Sequence, residues 1–185
     1  MRVAAFVYPR RVASLGHVAV GLAAGRLAVG SAASTRQLLV ACAGFSLLSL
    51  LPDADVIAFP LGIPYAAPFG HRGASHALVV ALVIGGLIAL WRRRLGLLAG
   101  LVVASHGLLD ALTDGGLGVA LLWPFDETRH FAPWRPIPVA PIGRGMLSRR
   151  GLWVLAVEAV CFAPLWLYAL WPRRTAAAGG DRPGD

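Results

Sequence analysis

The sequence predicts an all-α protein, a polytopic membrane helical bundle of about five spans forming a single domain over residues 1–172. Three observations carry that expectation. Hydrophobic residues make up 57% of the 185 positions and the mean hydropathy is +0.69, which is too apolar for an ordinary soluble domain. The apolar residues gather in five runs of at least fifteen residues. Arginine, proline and glycine fill the breaks between runs, as they do at span ends. A soluble helical protein with a very apolar core is the alternative.

The first run, residues 12–30, carries Gly16, Gly21 and Gly25, small residues that let two helices approach closely. Its His17, Gly21, Gly25 and Arg26 argue for a retained helix over a cleaved signal peptide. The second run, 37–51, stops at Pro52. The third, 76–91, ends at the arginine triplet 92–94, and the fourth, 95–112, ends at "TDGG". The fifth, 152–171, contains Glu158 and a Pro164 able to kink it. Runs two and three cover only roughly 24 Å at 1.5 Å per residue, short of a hydrocarbon core of about 30 Å. Two long loops remain, 52–70 with four prolines and 113–150 with five. The second of these also holds Trp123, Trp134, Asp126, Glu127 and His130, the composition of a lid with interfacial anchors. Residues 173–185 read as a disordered tail.

All 17 basic residues are arginine, and the net charge is +8. They scatter over several loops in place of one stripe, so they flank spans, and nucleic acid is not an expected partner. The membrane bilayer is the expected environment. Cys42 and Cys161 fall inside apolar runs and are expected to be buried, inert thiols.

Following the chain back and forth through five spans brings the polar residues to one end. His17 starts run one, Asp53 and Asp55 follow run two, His71 and His76 precede run three, and His106 and Asp110 close run four. The opposite end, residues 31–36 and 92–94, has arginine and small polar residues only. Counting arginines leaves orientation nearly balanced, nine on the site side and eight on the other; the "WRRR" hairpin tips the far side toward the cytoplasm. His106 and Asp110 lie four residues apart, on one helix face. Acids at helix C-termini are disfavoured by about 0.3–1 kcal/mol each and call for positive charge. A divalent metal supplies it, and Arg72 can supply part. Mixed imidazole and carboxylate donors suit zinc first, then manganese.

The expected metal ligands are therefore His17, Asp53, Asp55, His71, His76, His106 and Asp110. Arg72 is the expected grip on a substrate anion, and His130 a second catalytic candidate from the lid. Glu158 is either a further site residue or the partner of Arg26 or a histidine. A plain network of loop arginines paired with these acids remains open beside the metal reading.

The motifs "LLPDAD" (50–55), "GHRGASHA" (70–77), "SHGLLDALTDGG" (105–116) and "LLWPF" (121–125), in this order, resemble the YdjM-like family. Its members are described as LexA-binding, inner-membrane-associated metal-dependent hydrolases. The resemblance covers roughly residues 14–140, and His17 matches the family's early histidine. The family is in turn distantly similar to the zinc-dependent phospholipase C and single-strand nuclease group. Those proteins are all-helical and hold zinc through His and Asp, including an HxxxD pair that His106 and Asp110 match. Their further HxxxE pair and N-terminal tryptophan have no counterpart here, which implies fewer ions. The resemblance implies a membrane-bound hydrolase acting on a phosphoester or lipid-linked substrate; a non-catalytic scaffold or partner-docking protein with a structural metal or ion-pair site is the alternative.

Overall fold

The computed structural model describes residues 15–139 and 147–172; the expected tail, 173–185, and the first residues of run one lie outside them. The described residues are helical without a strand: α1 Leu15–Val29, α2 Thr35–Leu50, α3 Leu78–Ala89, α4 Arg93–Ala111, α5 Arg149–Cys161 and α6 Ala163–Leu170. Two isolated β-bridges, Thr113 with Ile137 and Val119 with His130, brace the loop after α4.

The helices pair as antiparallel hairpins. Ser34 caps α2 by accepting from the Gln37 amide, while the Gln37 side chain accepts from the Ser34 amide, so the turn after α1 ends in a reciprocal cap. Small residues then let α1 and α2 touch. A Cβ on Gly21 would lie 2.4 Å from Ser46 Cα, and one on Gly25 would lie 2.5 Å from Cys42 Cα. α3 and α4 meet the same way, with Gly96 against the Ala89 backbone. Gly21→Leu is expected to force the α1–α2 backbones apart and destabilise the protein by at least ~1–3 kcal/mol, seen as a lowered thermal midpoint in detergent; an unchanged midpoint would contradict this packing.

The described residues bear out part of the expected five spans. Thr35–Ala58, at 24 residues, and Arg93–Ala111, at 19, are long and apolar enough to cross a membrane. The first is longer than expected because Pro52 does not end it. Proline occupies the opening turn of a 3-10 segment, Leu51–Ala58, where its missing N–H leaves no bond unmade. α5 and α6 make a third crossing only as a bent pair, at 70°, since Phe162 breaks the run and Pro164 opens the next helix. α1 and α3 are shorter apolar helices: polar ends and the turn around His76 take residues out of the helix. The break also overturns one expectation about the cysteines, because it leaves Cys161 exposed on the outer face; Cys42 is half-buried and donates to the Leu22 carbonyl.

Large apolar side chains face outward: Leu39, Val40 and Leu47 on α2, Leu82 and Val83 on α3, Leu97 and Leu101 on α4. Such a continuous apolar exterior fits hydrocarbon, not water. The interior carries the polar groups. His17, His71, Arg72, His76, His106, Asp110 and Glu158 are all buried.

Candidate metal centre

The inverted polarity has a geometric cause. Each of the helices α1 to α4 contributes one polar end, and the four ends meet. α1 brings His17, the 3-10 extension of α2 brings Asp53 and Asp55, the turn before α3 brings His71, Arg72 and His76, and α4 brings His106 and Asp110.

Four ligand atoms, one each from Asp53, His76, His106 and Asp110, lie within 4.8 Å of one another. His76 Nε2 is 3.6 Å from Asp53 Oδ1 and 3.4 Å from Asp110 Oδ2. His106 Nε2 is 3.4 Å from Asp53 Oδ1 and 3.9 Å from Asp110 Oδ2. Asp53 Oδ1, His76 Nε2 and His106 Nε2 have no hydrogen-bond partner among the described residues, although all are buried, while Asp110 Oδ2 faces the Arg72 guanidinium. Groups left in that state cost about 1–3 kcal/mol each, more when charged. They are spaced as donors around a common centre.

The far sides of the rings are tied down. His106 Nδ1 lies 2.6 Å from the Ser49 carbonyl, which can only accept, so Nδ1 carries the proton and Nε2 presents its lone pair. Ser49 also donates to the His17 carbonyl at 2.8 Å, joining α1, α2 and α4 through one residue. His17 stacks on His106, with ring centroids 3.8 Å apart, and its Nε2 lies 3.5 Å from Asp110 Oδ1. It borders the four-residue group without belonging to it.

Asp55 stands behind. One carboxylate oxygen meets His71 Nδ1 at 2.6 Å; the other meets the Arg72 amide at 3.0 Å, the Ser75 hydroxyl at 2.5 Å and His76 Nδ1 at 3.2 Å. These contacts occupy Asp55 and orient two imidazoles, the usual arrangement around a metal-bound histidine. Asp55→Ala is expected to weaken metal affinity by about 10–100-fold, measured by competition with a chelating dye; unchanged affinity would remove Asp55 from this role.

Arg72 has turned inward. It sits at φ 61, a left-handed conformation uncommon for a residue with a side chain, held by its own amide on Asp55 and its carbonyl accepting from Ala120. Its Nε is 2.9 Å from Asp110 Oδ2, and Nη1 donates to Thr113 Oγ1 and the Gly115 carbonyl, both at 3.0 Å. Nη2 alone has no partner among the described residues.

His130, expected at the site, does not join it. Its ring pairs with Asp126 at 3.6 Å, part-exposed, and lines a hollow with Leu108 and Phe131 on the outer side of α4. Asp114 likewise turns away to accept from the Val139 amide at 2.8 Å. Glu158 pairs with neither Arg26 nor a histidine. It accepts from the Leu15 and Gly16 amides at 2.8 and 3.3 Å and so caps the helix that carries His17.

Three further residues shape the site. Ser49 precedes Asp53 by one helical turn, a spacing that could have pointed to it. Ser75 lies between Asp55 and His76. Arg129 donates to the carbonyls of His71, Tyr65 and Ala67 at 2.9, 2.7 and 3.1 Å, locking the loop after α4 onto the turn that carries Arg72. No motif announces that role.

The fold and the centre define an all-helical, apolar-surfaced protein with a buried His/Asp group at one end of its helices. The sequence model of the YdjM inner membrane protein family matches residues 12–175, and the chain belongs to that family. It is 38% identical over 176 residues to the inner membrane protein YbcI of Escherichia coli (strain K12), covering 85% of this chain and 96% of that protein. No solved structure matches the chain.

Proposed function

We propose that this protein is a membrane-bound, metal-dependent hydrolase acting on a phosphoester or lipid-linked substrate. The observation that carries the reading is the convergence of Asp53, His76, His106 and Asp110 on one point, with the facing atoms of Asp53, His76 and His106 buried and without a hydrogen-bond partner among the described residues. Two imidazoles and two carboxylates, with His17 adjacent, suit zinc, and manganese next. A cation held there would supply Lewis acidity toward a phosphoryl oxygen.

The chain's own residues prepare the place. Ser49 and Asp55 set the ring orientations, and Arg72 fixes the Asp110 carboxylate. Asp53 is the most open of the four, with its side chain 13% exposed, so a substrate approaches from its side. Arg72 Nη2 is the one guanidinium nitrogen left to meet an anion. A site at one end of apolar-surfaced helices favours a substrate lying in the bilayer surface.

His76 lies in the turn before α3, and protons compete for it. Burial favours its neutral form, but Asp110, Asp53 and Asp55 outweigh this and hold its pKa well above 6.5. In the metal-free protein that contribution to stability is complete below about pH 6.5 and is lost as pH rises through the raised value. Metal binding has the opposite dependence: a cation must displace the proton, so affinity rises with pH and uptake near neutrality releases about one proton. Calorimetry in buffers of different ionisation enthalpy checks this; pH-independent affinity would contradict it.

The functional test is hydrolysis of a chromogenic phosphodiester, and of a phospholipid in mixed micelles, by the purified protein with zinc or manganese. Turnover that disappears with chelator supports the reading. A metal bound tightly with no turnover of either class would favour a structural centre, a reading to which the inward Arg72–Asp110 pair lends support.

A further inference from the structure

At the end of the bundle away from the His/Asp centre, α1 and α6 finish beside the start of α4. Arg26 Nη1 donates to the Ala169 and Trp171 carbonyls, and Arg94 Nη2 donates to the Leu27 carbonyl at 2.8 Å. Each guanidinium so covers the open carbonyl end of a helix. That accounts for one nitrogen of each; the others have no acceptor among the described residues.

Between the two lies a cavity of about 330 Å³ lined by Arg26, Arg94, Ser31 and Tyr168, the Tyr168 ring lying 5.4 Å from the Arg26 guanidinium carbon. No carboxylate among the described residues lines it, and the sequence has no Asp or Glu in residues 1–52 or 56–109. The cavity shares Leu27 and Tyr168 with a second, of about 370 Å³, between α1, α4 and α6. Val20, Ala24, Leu98, Val102 and Leu165 line the second cavity, and it ends at Ser105. From Arg94 to Ser105 the helix rises roughly 16 Å. A pocket with two cations at one end and an apolar groove running from it has the charge and shape of a phospholipid, head and one tail.

We propose that this paired pocket and groove binds an anionic phospholipid, its phosphate between Arg26 and Arg94 and one acyl chain between α1, α4 and α6. Planar guanidinia match phosphate oxygens in pairs, and basic pockets between membrane helices hold lipid head groups. The site is separate from the metal centre, at the opposite ends of α1 and α4.

Native mass spectrometry of the full-length protein, released from micelles containing phosphatidylglycerol, tests the proposal. The wild type should retain one lipid per chain, and R26Q/R94Q should retain it at least tenfold more weakly. Leu98→Trp, which fills the groove and leaves both guanidinia in place, should also weaken retention and guards against misfolding of the arginine variant. Inorganic phosphate should not displace the lipid. Equal retention by wild type and both variants would overturn the proposal, as would displacement by inorganic phosphate alone, which would show a free-anion pocket without a lipid groove.

Discussion

Asp110→Ala is expected to lower stability by about 3–5 kcal/mol and to abolish metal binding together. Both groups of the Arg72–Asp110 pair are fully buried, and Nε lies 2.9 Å from the carboxylate. Removing Asp110 strands a guanidinium in a low-dielectric interior, and the cost of that stranded charge exceeds what the pair itself contributes. The double variant Arg72→Leu, Asp110→Leu removes both charges, so it should recover much of the lost stability while still binding no metal. Thermal unfolding in detergent reads the first effect and metal analysis the second. A stable single variant, or a double variant that binds metal, would contradict the placement of Asp110 at the junction of the ion pair and the centre.

His76→Ala should weaken metal affinity by more than about 100-fold, beyond the range seen when only an orienting residue is lost. His76 touches three carboxylates, Asp53, Asp55 and Asp110, and so joins the four-residue centre to a second cluster of Asp55, His71 and His76. It stands in a three-residue 3-10 turn, not in a helix–helix contact, so its truncation should leave the helical content unchanged by circular dichroism. Any phosphodiester turnover should fall to background in the same variant. Affinity within tenfold of wild type would place the centre elsewhere.

The gathering of polar residues was legible because alternation along the chain is a one-dimensional signal. Helix starts and ends that alternate between His17, Asp53, His76 and Asp110 meet at one end of any up-and-down bundle. The close approach at Gly21 and Gly25 was legible for a similar reason, since small residues on one face have few other uses in an apolar helix. What each polar group does at the site was not. Asp53 and Asp55 are two residues apart in the same turn, yet one faces the centre and the other stands behind two histidines. That split depends on the 3-10 geometry after Pro52, which a periodicity argument built on 3.6 residues per turn does not contain. Arg72 was expected to face a substrate; its left-handed backbone brings its Nε to Asp110, which local spacing does not show. His130 pairs with Asp126 on the outer side of α4, a placement set by its bridge to Val119, a contact across the loop that local spacing cannot show. The fifth run was continuous in hydropathy, so its break at Phe162 and the capping of α1 by Glu158 emerged only from packing.

The proposed metal centre places a divalent cation among Asp53, His76, His106 and Asp110. Its most direct test is the metal content of the detergent-purified protein, measured by inductively coupled plasma mass spectrometry beside a His106→Ala, Asp110→Ala double variant after reconstitution with zinc or manganese. Stoichiometric metal in the wild type and none in the variant is the predicted result. No metal in either protein would contradict the claim, and the cluster would then be an ion-pair knot of Arg72, its acids and four histidines.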